Sequence, residues 1–206
     1  MFFNFLWYSY CLITGCLKLQ ITTIMKNKLL FLIAIVLSVS SFAQEKEVSV
    51  EKSIFGVQAG LFGIWGYNEA RLSNTISLRT ELGLNMGIWG GTSYPKTGYI
   101  LFPTISVEPR YYYNLNRRTK LNKKTANNNG NYFSLKTSYN PNLFTISNYN
   151  SYVHNHITVI PKWGLRRSFA KNFEYEFSVG VGYVYDFDFN EGGTGVDLGF
   201  RVGYRF

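Results

Sequence analysis

Two histidines, His154 and His156, stand close in the chain to Ser147 and Ser151, and they are its only imidazoles. A serine becomes a nucleophile when a base lies within hydrogen-bond reach and an acid orients that base. The nearest acids in sequence are far away, so only folding could complete such a triad. The same histidines lack a Cys, Asp or Glu at the usual spacing of metal ligands. Gly180-Val181-Gly182 and Gly192-Gly193 have no strand–loop–helix context and so do not read as phosphate loops. These residues predict no catalytic site, no metal and no cofactor, with a Ser/His hydrolase as the alternative.

The charged residues are more informative, because they fall at fixed parity within long alternating stretches. From Phe173 to Phe187 every odd position is apolar or aromatic, while the even ones include Glu174, Glu176, Ser178, Gly180, Gly182 and Asp186. After a glycine-rich turn the apolar face passes to Val196, Leu198, Phe200, Val202, Tyr204 and Phe206, opposite Asp197, Gly199, Arg201, Gly203 and Arg205. Alternation with period two means a strand with two unlike faces. In a soluble sandwich the aromatic face would be the core. In a membrane barrel it would meet lipid, and the ionic face would fill the interior. Strand length favours the second, since about 9–11 residues span a bilayer and globular strands average five or six.

The remaining stretches repeat the theme. Strand one is expected across Phe55 to Trp65, with Phe55, Val57, Ala59, Leu61 and Trp65 on one face; Phe62 and Ile64 spoil its alternation. Strand two places Arg79 and Glu81 opposite Leu78, Leu82 and Leu84, and strand three places Glu108 and Arg110 opposite Val107, Pro109 and Tyr111. Strand four carries Lys136, and strand six, from about His156 to Ser168, carries Lys162 and Arg166. Leu143 to Tyr152 is the weakest candidate and is needed for an even count of eight. Pro103, Pro109 and Pro161 each remove a ladder hydrogen bond, which predicts bulges or an irregular ladder. The result is an all-β, eight-stranded antiparallel up-and-down transmembrane β-barrel. Its interior would pair Arg79, Arg110, Lys136, Lys162, Arg166, Arg201 and Arg205 with Glu81, Glu108, Glu174, Glu176, Asp186 and Asp197. Charges confined in so narrow a space must pair, so this near balance predicts a plug and not a selective pore.

The N-terminus carries different information. Met25-Lys26-Asn27-Lys28, the apolar run Leu29 to Val39, and Ser41-Phe42-Ala43 have the layout of a cleaved secretory signal. Residues 1–24 then read as an upstream extension from a mis-called start, 25–43 as the signal peptide, and 44–206 as the mature barrel. Cleavage would remove Cys11 and Cys16 and so exclude disulfides and thiol chemistry. It would also leave 18 of the 21 basic residues against all 12 acidic ones, a net charge of +6.

Between strands three and four, Arg117, Arg118, Lys120, Lys123 and Lys124 form a basic loop without an acid. In the expected strand order this loop is extracellular and suits anionic lipopolysaccharide; an envelope protein gives it little occasion to meet nucleic acid. The signal ending at Ala43, Glu108-Pro109-Arg110-Tyr111-Tyr112-Tyr113, Gly130-Asn131-Tyr132 and the aromatic terminus at Phe206 resemble small Gram-negative outer-membrane β-barrel proteins of OmpA-like or OmpX-like build. That resemblance covers Lys52 to Phe206. It implies a monomer in contact with outer-membrane lipids, recognised by the barrel-assembly machinery through its last strand. Such barrels host many roles. The resemblance implies a non-catalytic structural or surface-interaction protein of the cell envelope. Its alternatives are a lipid A-modifying acyl hydrolase with a rim Ser/His pair and a soluble periplasmic β-sandwich.

Overall fold

The computed structural model describes residues 48–92 and 94–206. The expected extension, signal segment and both cysteines lie outside the described residues. Among the described residues, nine strands and one short helix follow in order: β1 (Ser53–Gly60), β2 (Gly63–Arg71), β3 (Ile76–Trp89), β4 (Gly98–Tyr111), α1 (Leu115–Lys120), β5 (Asn131–Asn140), β6 (Ile146–Ser147), β7 (His156–Ser168), β8 (Phe173–Asp186) and β9 (Glu191–Arg205). All pairings are antiparallel. Each long strand pairs with its sequence neighbours, and β1 pairs with β9, so the sheet closes into a ring. A two-sheet sandwich is therefore not what this chain forms.

Eight strands make the ring, but not the eight expected. Phe55 to Trp65 is a hairpin rather than one strand: Gly60 pairs with Gly63 across a two-residue turn at Leu61 and Phe62. Gly63 sits at φ +145°, a backbone region that side chains disfavour. The turn resets the parity, which is why Phe62 and Ile64 break the alternation and why Trp65 points inward and not outward with Phe55. Conversely, residues 143–152 contribute only the two-residue β6, which pairs with Ile100 and Leu101 at the end of β4.

Of the two outcomes expected at the prolines, the ladder is irregular at Pro109 and Pro161, and no bulge shifts the register. Pro103 and Pro109 keep register with Leu84 and Leu78 of β3, and Pro161 keeps register with Leu135 of β5. Each strand residue directs its hydrogen-bonding groups to one neighbour, so a proline costs a bond on one side only. The pairing lapses at Glu108 and Pro109 toward β5, and at Ile160 and Pro161 toward β8, and resumes without a shift.

Burial is inverted relative to a water-soluble protein. Leu82, Tyr183 and Phe200 on the outer face are 69%, 54% and 49% exposed, whereas Arg201 and Glu174 inside are 5% and 0% exposed. The largest fully buried side chains include three arginines, Arg79, Arg110 and Arg166. A small apolar cluster of Val50, Tyr112, Leu115 and Tyr132, with Val48 against it, packs at the end of the ring where β1 begins and β9 ends. The lead-in chain is tied there by Val50 N–H to Asn74 O (2.9 Å) and Glu51 N–H to Asn128 Oδ1 (2.7 Å).

Candidate functional site: a polar lumen with a side opening

The lumen is built from a unit used three times. An inward aromatic ring lies over a glycine that is its cross-strand partner: Tyr67 over Gly56, Trp65 over Gly83, and Tyr132 over Gly164. A side chain at any of these glycines would strike the ring. An arginine then stacks on each ring. Arg79 lies 3.8 Å from the Tyr67 centroid, Arg201 3.9 Å from Trp65 and Arg110 4.3 Å from Tyr132. Stacking leaves the guanidinium edges free for carboxylates.

Carboxylates meet the cations both along the same strand and across the interior. Arg110 reaches Glu176 at 2.7 Å and Glu108 at 2.9 Å. Arg79 reaches Glu81 at 2.6 Å, and Arg201 meets the same carboxylate at 2.8 Å. Arg166 bridges Glu174 at 2.8 Å and Glu69 at 2.6 Å, while Arg205 lies 3.3 Å from Glu174. Lys136 and Lys162 share Asp197 at 3.8 and 3.4 Å. Twelve of the thirteen residues expected in this network are thereby brought together.

Asp186 is the exception. It stands at the far end of β8, where its Oδ1 accepts the backbone N–H groups of Asp188 (2.9 Å) and Phe189 (3.2 Å) and holds the β8–β9 turn. Its place in the network is taken by Glu69, fully buried and missed in the sequence because β2 was not recognised as a strand. Glu69 accepts from Ser77 (2.7 Å), Tyr112 (2.9 Å), Asn128 (2.7 Å) and Arg166 (2.6 Å). The available signal was Glu69's parity with Tyr67 and Trp65. Burial, reinforced by the charge of Glu69, pushes the Tyr112 hydroxyl up from its ordinary value, so it remains a neutral donor.

The network fills the half of the lumen nearest the start of β1. The other half is a cavity of about 390 Å³ lined by Trp65, Asn85, Lys136, Ser138, Asn140, His156, Thr158, Asp197 and Arg201. Its lining also takes in Leu61 and Phe62 of the hairpin tip and Val196, Leu198 and Phe200 of β9. The last three belong to the outer face. Outer residues can line an inner cavity only where the wall is interrupted. The register locates that gap: β1 pairs with Arg201–Arg205 of β9 and ends there, so among the described residues Glu191–Phe200 has a strand neighbour only in β8. On the other side β2 ends at Gly63, opposite Asn85, and β3 runs on to Trp89 with only β4 beside it. The Met86 N–H is held by Phe62 O at 2.7 Å.

The histidines do not form the expected alternative site. His156 Nδ1 donates to His154 O at 2.8 Å, and His154 Nδ1 lies 3.1 Å from Asp188 Oδ2. Ser147 Oγ donates to Tyr99 O at 2.7 Å. Among the described residues no serine is hydrogen-bonded to either imidazole. Folding does bring an acid to His154, which sequence spacing had not suggested: ligand atoms of His154, Asp186 and Asp188 lie within 4.8 Å of one another. The carboxylates there are engaged by backbone N–H groups. The Asn155 N–H in particular holds the Asp188 carboxyl below the usual range.

The basic loop is also displaced from its expected side. Because Phe55 to Trp65 is a hairpin and 143–152 does not cross, the loop containing α1 emerges at the end of the ring where β1 begins and β9 ends. Arg117, Lys120, Lys123 and Lys124 are exposed there, while Arg118 donates to Lys124 O at 2.9 Å. Contact between this loop and lipopolysaccharide, expected for an extracellular loop, does not follow from this placement. Comparison of the chain with protein-family models, characterised proteins and solved structures finds no match.

Proposed function

We propose that this chain is a non-catalytic outer-membrane β-barrel protein, inserted with both termini in the periplasm and serving a structural or surface-interaction role in the cell envelope. The observation that carries the reading is the inversion of burial: an ion-paired interior inside an apolar ring. Aromatics gather at both ends of the outer face, which supports the same reading. Tyr113 and Phe133 (5.2 Å), Phe173 and Tyr204 (5.2 Å), and Tyr204 and Phe206 (5.6 Å) neighbour one another at the end where β1 begins. Tyr139, Tyr185 and Phe187 do so at the other end. Between them lie aliphatic residues such as Leu82, Ile105, Leu135, Val179 and Leu198. Two girdles flanking an aliphatic band match the profile of a bilayer.

The plugged half of the lumen argues against conduction, since a selective pore needs a continuous polar path. In this insertion the α1 loop faces the periplasm, and Phe206 ends the strand that the assembly machinery would read. Membrane fractionation tests the proposal. The protein should require detergent for extraction, and its unboiled form should migrate differently from the boiled form on a denaturing gel. Recovery in a detergent-free periplasmic extract would refute it. The acyl-hydrolase alternative requires that His154→Ala or His156→Ala abolish deacylation by a protein that still folds.

A further inference from the structure

The side opening combines features that a packing defect would not. Its rim is apolar, made by Leu61, Phe62, Val196, Leu198 and Phe200, whereas its floor carries Lys136 and Arg201. Lys136 Nζ lies 3.4 Å from Glu81 and 3.8 Å from Asp197. Arg201 uses Nη1 for Glu81, lies over the Trp65 ring and also lines the cavity. Gly199 of β9, which has no side chain, also lines the cavity. The volume falls within the roughly 300–1,000 Å³ of small-ligand sites.

We infer that this opening is a binding site for a single-chain anionic amphiphile, whose hydrocarbon tail leaves through the gap over β9 while its acidic head group pairs with Lys136 and Arg201. The inference rests on the membrane reading above, because the rim must face hydrocarbon for the tail to be favourably placed. Charge complementarity selects an anion: the lining carries two cations, Lys136 and Arg201, against one carboxylate, Asp197, which Lys162 also contacts. Size selects one chain, since a cavity of about 390 Å³ lies near the small end of ligand sites. A carboxylate and a phosphate monoester share this chemistry.

Trp65 provides the readout, because it lies under Arg201 at the cavity floor. In folded, detergent-solubilised protein carrying Trp7→Phe, Trp89→Phe and Trp163→Phe, dodecanoate brominated along its chain should quench Trp65 fluorescence saturably. Unlabelled dodecanoate and dodecyl phosphate compete in separate arms, and the stronger competitor identifies the preferred head group. Dodecanol, which lacks the charge, and the Lys136→Met variant should each bind about tenfold more weakly or worse. Thr158→Phe, which fills the cavity without touching the ion network, should abolish the saturable phase. Quenching that is linear in probe, equal for the alcohol, and unchanged by Lys136→Met would overturn the inference. The shift between boiled and unboiled mobility is measured on every variant. Its absence in the parent protein would sink the membrane reading, whereas its presence without saturable quenching would sink only the site.

Discussion

Glu69 offers the sharpest test of whether the interior is a dry ionic core. Its carboxylate is fully buried and accepts hydrogen bonds from Ser77, Tyr112, Asn128 and Arg166, with Arg110 at 3.7 Å and Arg79 at 4.0 Å. A unit charge about 4 Å from another contributes on the order of 4 kcal/mol at an effective dielectric near 20. Desolvation offsets much of that sum while the pair is intact. Removing one partner is different, because the remaining charges stay buried without compensation, at about 3–5 kcal/mol. Glu69→Gln keeps the shape and two acceptor lone pairs but deletes the charge facing three guanidinium groups. We expect it to lower unfolding stability by about 3 kcal/mol, read as a shift of the urea midpoint at unchanged slope in a detergent or lipid host. Glu191→Gln, an exposed position on the outer end of β9, should change stability by less than about 0.5 kcal/mol. Combining Glu69→Gln with Arg166→Met should cost less than the two single changes added together, because Arg166 is then no longer left facing an uncharged partner. A Glu69→Gln protein as stable as its parent would mean that water enters and screens the lumen, and the plug argument would fall with it.

Other expectations are more local. Gly164→Ala should displace the Tyr132 ring from Arg110 and cost about 1–3 kcal/mol as an overpacking change, measured by thermal unfolding; a neutral result would show that the ring position is not constrained. The α1 loop, with its exposed Arg117, Lys120, Lys123 and Lys124, should resist external trypsin in intact cells and be cut once the outer membrane is permeabilised. Cleavage in intact cells would reverse the proposed insertion. Asp188, whose carboxyl is held down chiefly by the Asn155 N–H, supports the loop–turn contact at neutral pH. Because its folded value is depressed, this contribution is present above the ordinary carboxylate value of about 3.9 and lost as pH falls through the folded one. NMR titration of its side-chain carboxyl should show a midpoint below that of an unperturbed aspartate, and a midpoint at or above the ordinary value would refute the contact.

The division between faces was legible from the chain alone, because strand parity is a local property. Arg79, Glu81, Glu108, Arg110, Glu174 and Arg201 share one parity before any pairing is known, and all six are buried. What local pattern could not supply was the point at which parity resets. Gly60 and Gly63 bracket a turn whose two residues, Leu61 and Phe62, are themselves apolar, so hydrophobicity runs straight through the bend. That one turn moved Trp65 inward, concealed Glu69, and reversed the side on which the basic loop emerges.

Partner choice among the charges was likewise set by tertiary structure. Glu69 and Arg166 are far apart in the chain, and only ring closure brings them to 2.6 Å. Alternation alone determined that this chain would build a sheet with one greasy and one ionic face. The pairing of the first strand with the last decided which charges meet, because closure joins residues at any sequence distance. The same stagger, a short hairpin beside a long final strand, left the wall open above Arg201. No local pattern encodes a mismatch in length between strands that meet only after the ring has closed.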